Sequence, residues 1–133
     1  MKEFHLEILT PDGLAFEGMV ESLLVHAVDG DVEFLAGHVD YITILGIGRA
    51  RIKIAGNDRF ASVSGGFVTV TQGKVKLIAT TFEFAEDIDV ERAQAAKARA
   101  KDILSSSKDN KAIEIARRKL DRAISRINVA KLK

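Results

Sequence analysis

Residues 68–77 read VTVTQGKVKL, and their alternation decides how the first two thirds of the chain is built. Val68 and Val70 precede the pair Gln72-Gly73, and Val75 and Leu77 follow it. Strand side chains point alternately to opposite faces, so apolar residues at every second position give each segment one buried face. A two-residue connection ending in glycine suits a tight hairpin. The spacing predicts an antiparallel hairpin with its valines turned into a core.

The same texture extends upstream. Phe4, Leu6 and Ile8 alternate with His5 and Glu7, and Pro11-Asp12-Gly13 forms a turn in which proline presets φ. The stretch Val20 to Val28 reads as one or two strands ending at the turn Asp29-Gly30-Asp31. Ala50, Ile52 and Ile54 alternate with Arg49, Arg51 and Lys53, a strand with one buried and one basic face. Gly56-Asn57 turns the chain into a strand over Phe60 to Ser64, and Ser64-Gly65-Gly66 reads as a bulge or bend. Many short strands joined by regular turns indicate a sandwich or flattened barrel.

Downstream of Phe84 glycine disappears and alanine becomes frequent. The expected organisation is a β-domain over residues 1–84 and a helical domain over residues 85–133. Asp89 is placed to cap a helix whose Ala93, Ala96, Ala100 and Ile103 share one face. Ser105-Ser106-Ser107 reads as a polar break, with Asp109 or Asn110 capping a second helix. In that helix Ile113, Ala116, Leu120, Ala123, Ile127 and Ala130 keep a three–four alternation. Two amphipathic helices with a short connection pair antiparallel. A seam of alanines buries little area per residue, so the hairpin is expected to detach easily.

Composition narrows the function. The 133 residues contain no cysteine, which excludes disulfides and favours a reducing compartment. No apolar run approaches the roughly 18 residues of a membrane span, and the alternating N-terminus does not read as a signal peptide. The net charge of +1 hides a division. Residues 1–84 carry seven Lys/Arg against eleven Asp/Glu, and residues 85–133 carry thirteen against eight. Two surfaces of opposite sign suggest two kinds of partner.

No constellation supports catalysis or a metal. His5, His26 and His38 form no metal-binding pair, and each reads as an ordinary strand or loop residue, with His38 also placed to shape its loop. Gly46-Ile47-Gly48 lacks the third glycine and the following helix of a dinucleotide fingerprint. The acidic residues from Glu83 to Glu91 fit a linker and helix start better than a cation site.

The arginines are more informative. Arg118, Arg122 and Arg126 recur every four residues, and Arg92 and Arg99 lie seven apart on the preceding helix. In an antiparallel hairpin Arg92 approaches Arg122 and Arg126, with Asp89 beside them. Guanidinium forks bind phosphate oxygens and a carboxylate accepts from an amino group, so the group suits a nucleotide. The competing reading is a solvated face with local ion pairs, such as Arg118 with Asp121. A nucleic-acid stripe is a third, weakened by the lack of aromatics after Phe84. In that case the chain is a free adaptor for nucleic acid or an acidic protein.

In order along the chain, these features resemble the epsilon subunit of bacterial F-type ATP synthases. Thr10-Pro11-Asp12-Gly13 is similar to the family's first turn, and Gly30-Asp31 through Leu35-Ala36-Gly37-His38 to its G-x-x-x-x-L-P-G-H loop, with Ala36 in place of the proline. Val63-Ser64-Gly65-Gly66-Phe67 and Ile88-Asp89-Val90-Glu91-Arg92-Ala93 resemble its V-S-G-G-F and I/L-D-x-x-R-A segments.

The resemblance implies a β-sandwich followed by an antiparallel two-helix hairpin. It implies a non-catalytic central-stalk subunit that binds the gamma subunit and the c-ring, without nucleic acid. Its mobile hairpin would reach the alpha and beta subunits of the catalytic head and restrain ATP hydrolysis. His38 and Arg118 are the partner-binding residues expected on this basis. The implied place is the cytoplasmic face of the bacterial membrane, held through the complex. The resemblance also implies ATP as a regulatory ligand, with or without Mg²⁺. Ile88, Asp89, Arg92 and Ala93 match the motif, and Glu83, Arg99, Arg122 and Arg126 match surrounding contact positions.

Overall fold

The computed structural model describes residues 2–132; Met1 and Lys133, the outer ends of the two expected domains, lie outside the described residues. Ten strands precede two helices. They are β1 (Phe4–Thr10), β2 (Gly13–Val20), β3 (Ser22–Ala27), β4 (Gly30–Leu35), β5 (Tyr41–Ile44), β6 (Gly48–Ile54), β7 (Asn57–Ser64), β8 (Phe67–Thr71), β9 (Lys74–Ile78) and β10 (Thr81–Phe84). A 3₁₀ turn over Ala85–Asp87 leads into α1 (Val90–Ser106) and α2 (Asn110–Ala130).

The strands form two five-stranded sheets, ordered β2-β1-β9-β8-β5 and β10-β7-β6-β3-β4. Their inner faces enclose Leu6, Ile8, Leu23, Phe34, Ile52, Val68 and Leu77, each fully buried. This is the expected sandwich. The hairpin of residues 68–77 has the register its alternation implies, Val68 opposite Leu77 and Val70 opposite Val75. Gln72 and Gly73 both adopt positive φ, 50° and 76°, which matches a primed turn to the twist of the strands. The β6–β7 turn is Ala55-Gly56, one residue earlier than the sequence suggested, and Asn57 already pairs with Ile54.

Several strands were not individually expected. β2 and β5 do not show a clean apolar alternation, since each lies at the edge of a sheet with much of its surface open, whereas β4 and β10 are edge strands that alternate over only a few residues, Val32 and Phe34 in one and Phe82 and Phe84 in the other. The Val20–Val28 stretch divides into the last residue of β2 and the strand β3. Among the described residues one strand pair is parallel, β1 with β9, with Leu6 opposite Val75 and Ile8 opposite Leu77. Gly65 and Gly66 form the expected bend at φ 68° and 96°, and a Cβ at Gly66 would overlap the Ile78 carbonyl oxygen. Only glycine lets the chain pass that close to the neighbouring backbone.

Asp89 caps α1, accepting the Arg92 amide at 3.1 Å, and Asp109 caps α2, accepting from Lys111 at 3.2 Å. The serine break is shorter than expected. Ser105 and Ser106 complete the last turn of α1, their hydroxyls donating to the Asp102 carbonyl, and only Ser107 to Asp109 lie between the helices. The helices pack along Ala93, Ala100, Ala116 and Ala123, all buried.

The hairpin lies folded against the second sheet. A small apolar cluster of Ala85, Ile88, Val129 and Ala130 packs on Phe60 and Val90. Beside it the hydroxyls of Ser62 and Ser125 meet at 2.9 Å, and Arg126 pairs with Glu83. Arg59 pairs with Glu86 and lies 3.6 Å over the Phe84 ring, fastening the 3₁₀ turn to β7.

Candidate functional site

A cleft of about 700 Å³ opens where the hairpin meets the edge of the sandwich, a size that holds a small ligand. Its walls come from three places. The β1–β2 turn brings Thr10 and Asp12, and the approach to β10 brings Thr80, Thr81, Phe82 and Glu83. One face of α1 brings Asp89, Arg92, Ala93, Ala96, Arg99, Ala100 and Ile103. From α2 come Lys119, Arg122 and Arg126.

Helical geometry explains the α2 wall. Positions three and seven residues apart lie on one face, so Lys119, Arg122 and Arg126 form a single stripe. On α1, Arg92 and Arg99 repeat at the same interval of seven. The alanines between them keep the floor of the cleft narrow and apolar, so the guanidiniums extend past it. Five cations and three carboxylates, Asp12, Glu83 and Asp89, line the space. Arg126 gives its Nε–H to Glu83 Oε1 at 2.9 Å, with both side chains still part-exposed. The remaining cations have no ion pair with a described residue. Such an arrangement favours a polyanion carrying a group that donates hydrogen bonds to a carboxylate.

Of the eight residues expected to contact a nucleotide, seven line this cleft: Glu83, Asp89, Arg92, Ala93, Arg99, Arg122 and Arg126. Ile88 does not. It is buried in the small cluster under the end of α2, where it supports the site from behind. Reading the sequence missed Lys119, Asp12 and the threonines. Lys119 was obscured because Arg118, Arg122 and Arg126 make a regular row, whereas the docked rotation of α2 sets Lys119, still exposed, along the cleft. Arg118 lies exposed outside the cleft, 4.0 Å from Glu114, and its ion-pair neighbour is therefore not Asp121.

The histidines occupy separate places. His5 meets Glu17 at 3.1 Å and His26 meets Asp31 at 2.9 Å, both on outer strand faces. His38 follows Gly37, whose φ is 81°, and bonds the Val39 carbonyl at 2.8 Å through Nδ1. A carbonyl only accepts, so Nδ1 carries the proton. The ring packs beside Phe34 and Tyr41, so His38 does shape its loop. Beyond it the edge strand β5 exposes Ile42 and Ile44, 66% and 62% open, next to Val39 at 75%. This is a strip of apolar surface at the opposite edge of the first sheet from β2.

Comparison with known proteins follows the two layers of the structure. The family model described as ATP synthase, Delta/Epsilon chain, beta-sandwich domain matches residues 3–85. The one described as ATP synthase, Delta/Epsilon chain, long alpha-helix domain matches residues 86–131. The chain is 42% identical over 130 residues to the ATP synthase epsilon chain of Bacillus velezensis, covering 98% of both. It is 40% identical over 129 residues to the epsilon chain of Caldicellulosiruptor saccharolyticus, covering 97% of this chain and 94% of that one. The fold is shared with a chain of the Euglena gracilis mitochondrial ATP synthase, solved with its OSCP, F1 and c-ring. That match has a TM-score of 0.82 at 22% identity and covers 98% of this chain and 82% of the other. With both layers matched and the relatives aligned nearly end to end, the chain belongs to the ATP synthase delta/epsilon family, as a non-catalytic stalk subunit of the epsilon type.

Proposed function

We propose that this subunit senses ATP in the cleft between hairpin and sandwich and uses it to regulate ATP hydrolysis by the complex. The observation that carries the reading is that Arg92, Arg99, Arg122 and Arg126, from two helices, line one cleft together with Glu83 and Asp89. Arginines fit phosphate oxygens, and the carboxylates suit an amino group of a base. A ligand touching both helices and the sandwich stabilises the docked hairpin in proportion to its preference for that state.

The undocked hairpin would be the regulatory form. Its alanine seam and its small docking cluster hold it by few contacts, and it is basic, with thirteen Lys/Arg against eight Asp/Glu over residues 85–133. Released, it would extend along the gamma subunit to acidic surfaces of the alpha and beta subunits, with Arg118 on its exposed face, and restrain hydrolysis. The sandwich would remain at the base of the stalk, near His38 and the apolar strip of β5, against the gamma subunit and the c-ring. Burial there would couple ion-driven rotation to synthesis at the cytoplasmic face of a bacterial membrane.

Calorimetric titration of the full chain with ATP, with and without Mg²⁺, tests the nucleotide reading. Saturable binding that is lost in Arg92→Ala/Arg122→Ala supports it. Absence of binding at millimolar ATP returns these arginines to partner contacts and removes the sensor.

A further inference from the structure

We propose that Arg59 sets the pivot of the hairpin: it keeps the 3₁₀ turn Ala85–Asp87 on the sandwich, so the released helices swing at Ile88 and Asp89. This rests on the detachable hairpin of the reading above. Arg59 stands on β7 two residues before Ala61, and strand periodicity gives the two one face. Phe84 on β10 lies opposite Ala61. The Arg59 guanidinium closes over the Phe84 ring, 3.6 Å from its centroid, where Phe84 meets Phe16 and Phe82 edge-on. The same group gives its Nε–H to Glu86 Oε1 at 3.2 Å and an Nη–H to that oxygen too. One side chain thus holds both the end of the last strand and the turn that follows it, and Ala85 between them is buried.

A part-exposed ion pair alone holds little, and Arg59 and Glu86 are 38% and 46% exposed. The ring changes that. A guanidinium seated on a buried aromatic side chain has already lost rotamer freedom, so less is given up when it also binds a carboxylate. Past the turn the chain runs through Ile88 (φ −76°, ψ 125°) and Asp89 (φ −83°, ψ 100°), both extended. The turn closes with the Ile88 N–H on the Ala85 carbonyl at 3.3 Å, and the helix opens with the Ala93 N–H on the Asp89 carbonyl at 3.0 Å. A rotation of the hairpin is absorbed by the dihedrals between those two bonds, as in hinges at element ends. If the turn left with the helices instead, its three residues would add a leash of roughly 10 Å. Arg59 is thus a positioning residue that gives the moving helices a fixed origin.

The chain has no cysteine, so spin labels go only to introduced ones. Lys74→Cys on the sandwich is paired in turn with Asp87→Cys in the 3₁₀ turn, Lys101→Cys on α1 and Asp29→Cys between β3 and β4, all at exposed positions. Val129→Asp puts a carboxylate into the docking cluster, where Val129 is 1% exposed, and so releases the hairpin of the full chain. In that background, electron–electron double resonance should keep the Asp87 distance single and narrow. The Lys101 distance should broaden, because that residue stands about 18 Å along α1 from Asp89. Adding Arg59→Gln should spread the Asp87 distance over about 10 Å, the length of the freed leash. The Asp29 distance should stay narrow, as should the Asp87 distance when Arg51→Gln, on the outer face, replaces the Arg59 change. Arg59→Met, which still covers Phe84 but cannot hold Glu86, carries the same test if the glutamine variant disturbs the Asp29 distance. An Asp87 distance that broadens with Val129→Asp alone, that stays narrow without Arg59, or that responds equally to Arg51→Gln overturns the pivot. A Lys101 distance that stays narrow in Val129→Asp overturns the detachable hairpin itself, and the role of Arg59 with it.

Discussion

Arg126 on the last helix donates its Nε–H to Glu83 on the last strand at 2.9 Å, closing a span of 43 residues. This ion pair is at once a wall of the cleft and a tie between the two parts of the chain. Both side chains are partly exposed, so its strength is that of a half-screened pair.

Breaking the tie should loosen the hairpin without unfolding the sandwich. In Glu83→Gln, amide exchange along α2 should quicken by about threefold, corresponding to about 0.5–1 kcal/mol for a part-exposed pair. Amides of β1, β8 and β9 should keep their protection. Unchanged exchange in α2 would show that the pair does not hold the helix.

Arg126→Ala combines that loss with removal of a phosphate donor. ATP affinity should fall about tenfold or more, as expected for a charge-assisted contact. Calorimetry gives the value, and an unchanged affinity would remove Arg126 from the site.

The Ser62–Ser125 contact is a polar pair under the docked helix, with Ser62 only 6% exposed. Ser125→Ala leaves the Ser62 hydroxyl without its partner and should cost about 1 kcal/mol of hairpin docking. Replacing both serines by alanine should cost less than the sum of the single changes. A double-mutant cycle on chemical denaturation reads the difference, and strict additivity would show that the hydroxyls do not interact.

Enlarging the alanine seam should separate the hairpin from its own partner helix. Ala100 is 2% exposed and Ala123 is fully buried, so Ala123→Leu forces the helices apart at a cost of about 1–3 kcal/mol. Far-ultraviolet circular dichroism should show helix lost at a lower temperature than strand. A single coincident transition would mean that hairpin and sandwich unfold as one unit.

Gly66→Ala should affect the sandwich instead. The residue sits at φ 96°, and a Cβ added there would stand 2.8 Å from the Ala79 Cα, so both strain and collision oppose the change. Its midpoint of unfolding should drop by several degrees or more, for a loss above about 2 kcal/mol. Gly73→Ala, at φ 76° with open space around it, should cost only about 1 kcal/mol. Equal effects would mean that backbone conformation alone, and not the close approach to Ala79, makes Gly66 necessary.

Much of the fold was legible along the chain. The alternation at Phe4, Leu6 and Ile8 and at Val68, Val70, Val75 and Leu77 marks inward faces because strand periodicity is local. Asp89 and Asp109 mark helix starts because a cap acts within three residues. The edge strands β2 and β5 were harder to see, since a half-open strand needs no strict apolar pattern, and β4 and β10 because their alternation covers only a few residues. The cleft was legible in composition. Asp89, Arg92, Arg122 and Arg126 follow from the motif and from antiparallel pairing, and Glu83 and Arg99 only from positions matched around the motif, whereas Thr80, Thr81 and Asp12 carry no local signal of belonging to it.

By itself, then, the sequence determined strand faces, the principal turns, the caps and the existence of an alanine-seamed hairpin, all of which depend on neighbours a few residues apart. The tertiary structure decided the parallel pairing of β1 with β9, the burial of Ile88 behind the cleft and the rotation of α2 that selects Lys119 over Arg118. Helical periodicity relates the residues of one helix to each other but leaves its rotation against a distant surface open. That rotation is set where Val129 and Ala130 pack near Phe60, Ser125 meets Ser62, and Arg126 reaches Glu83. These are long-range contacts, and their free energy exists only once the sandwich is already folded.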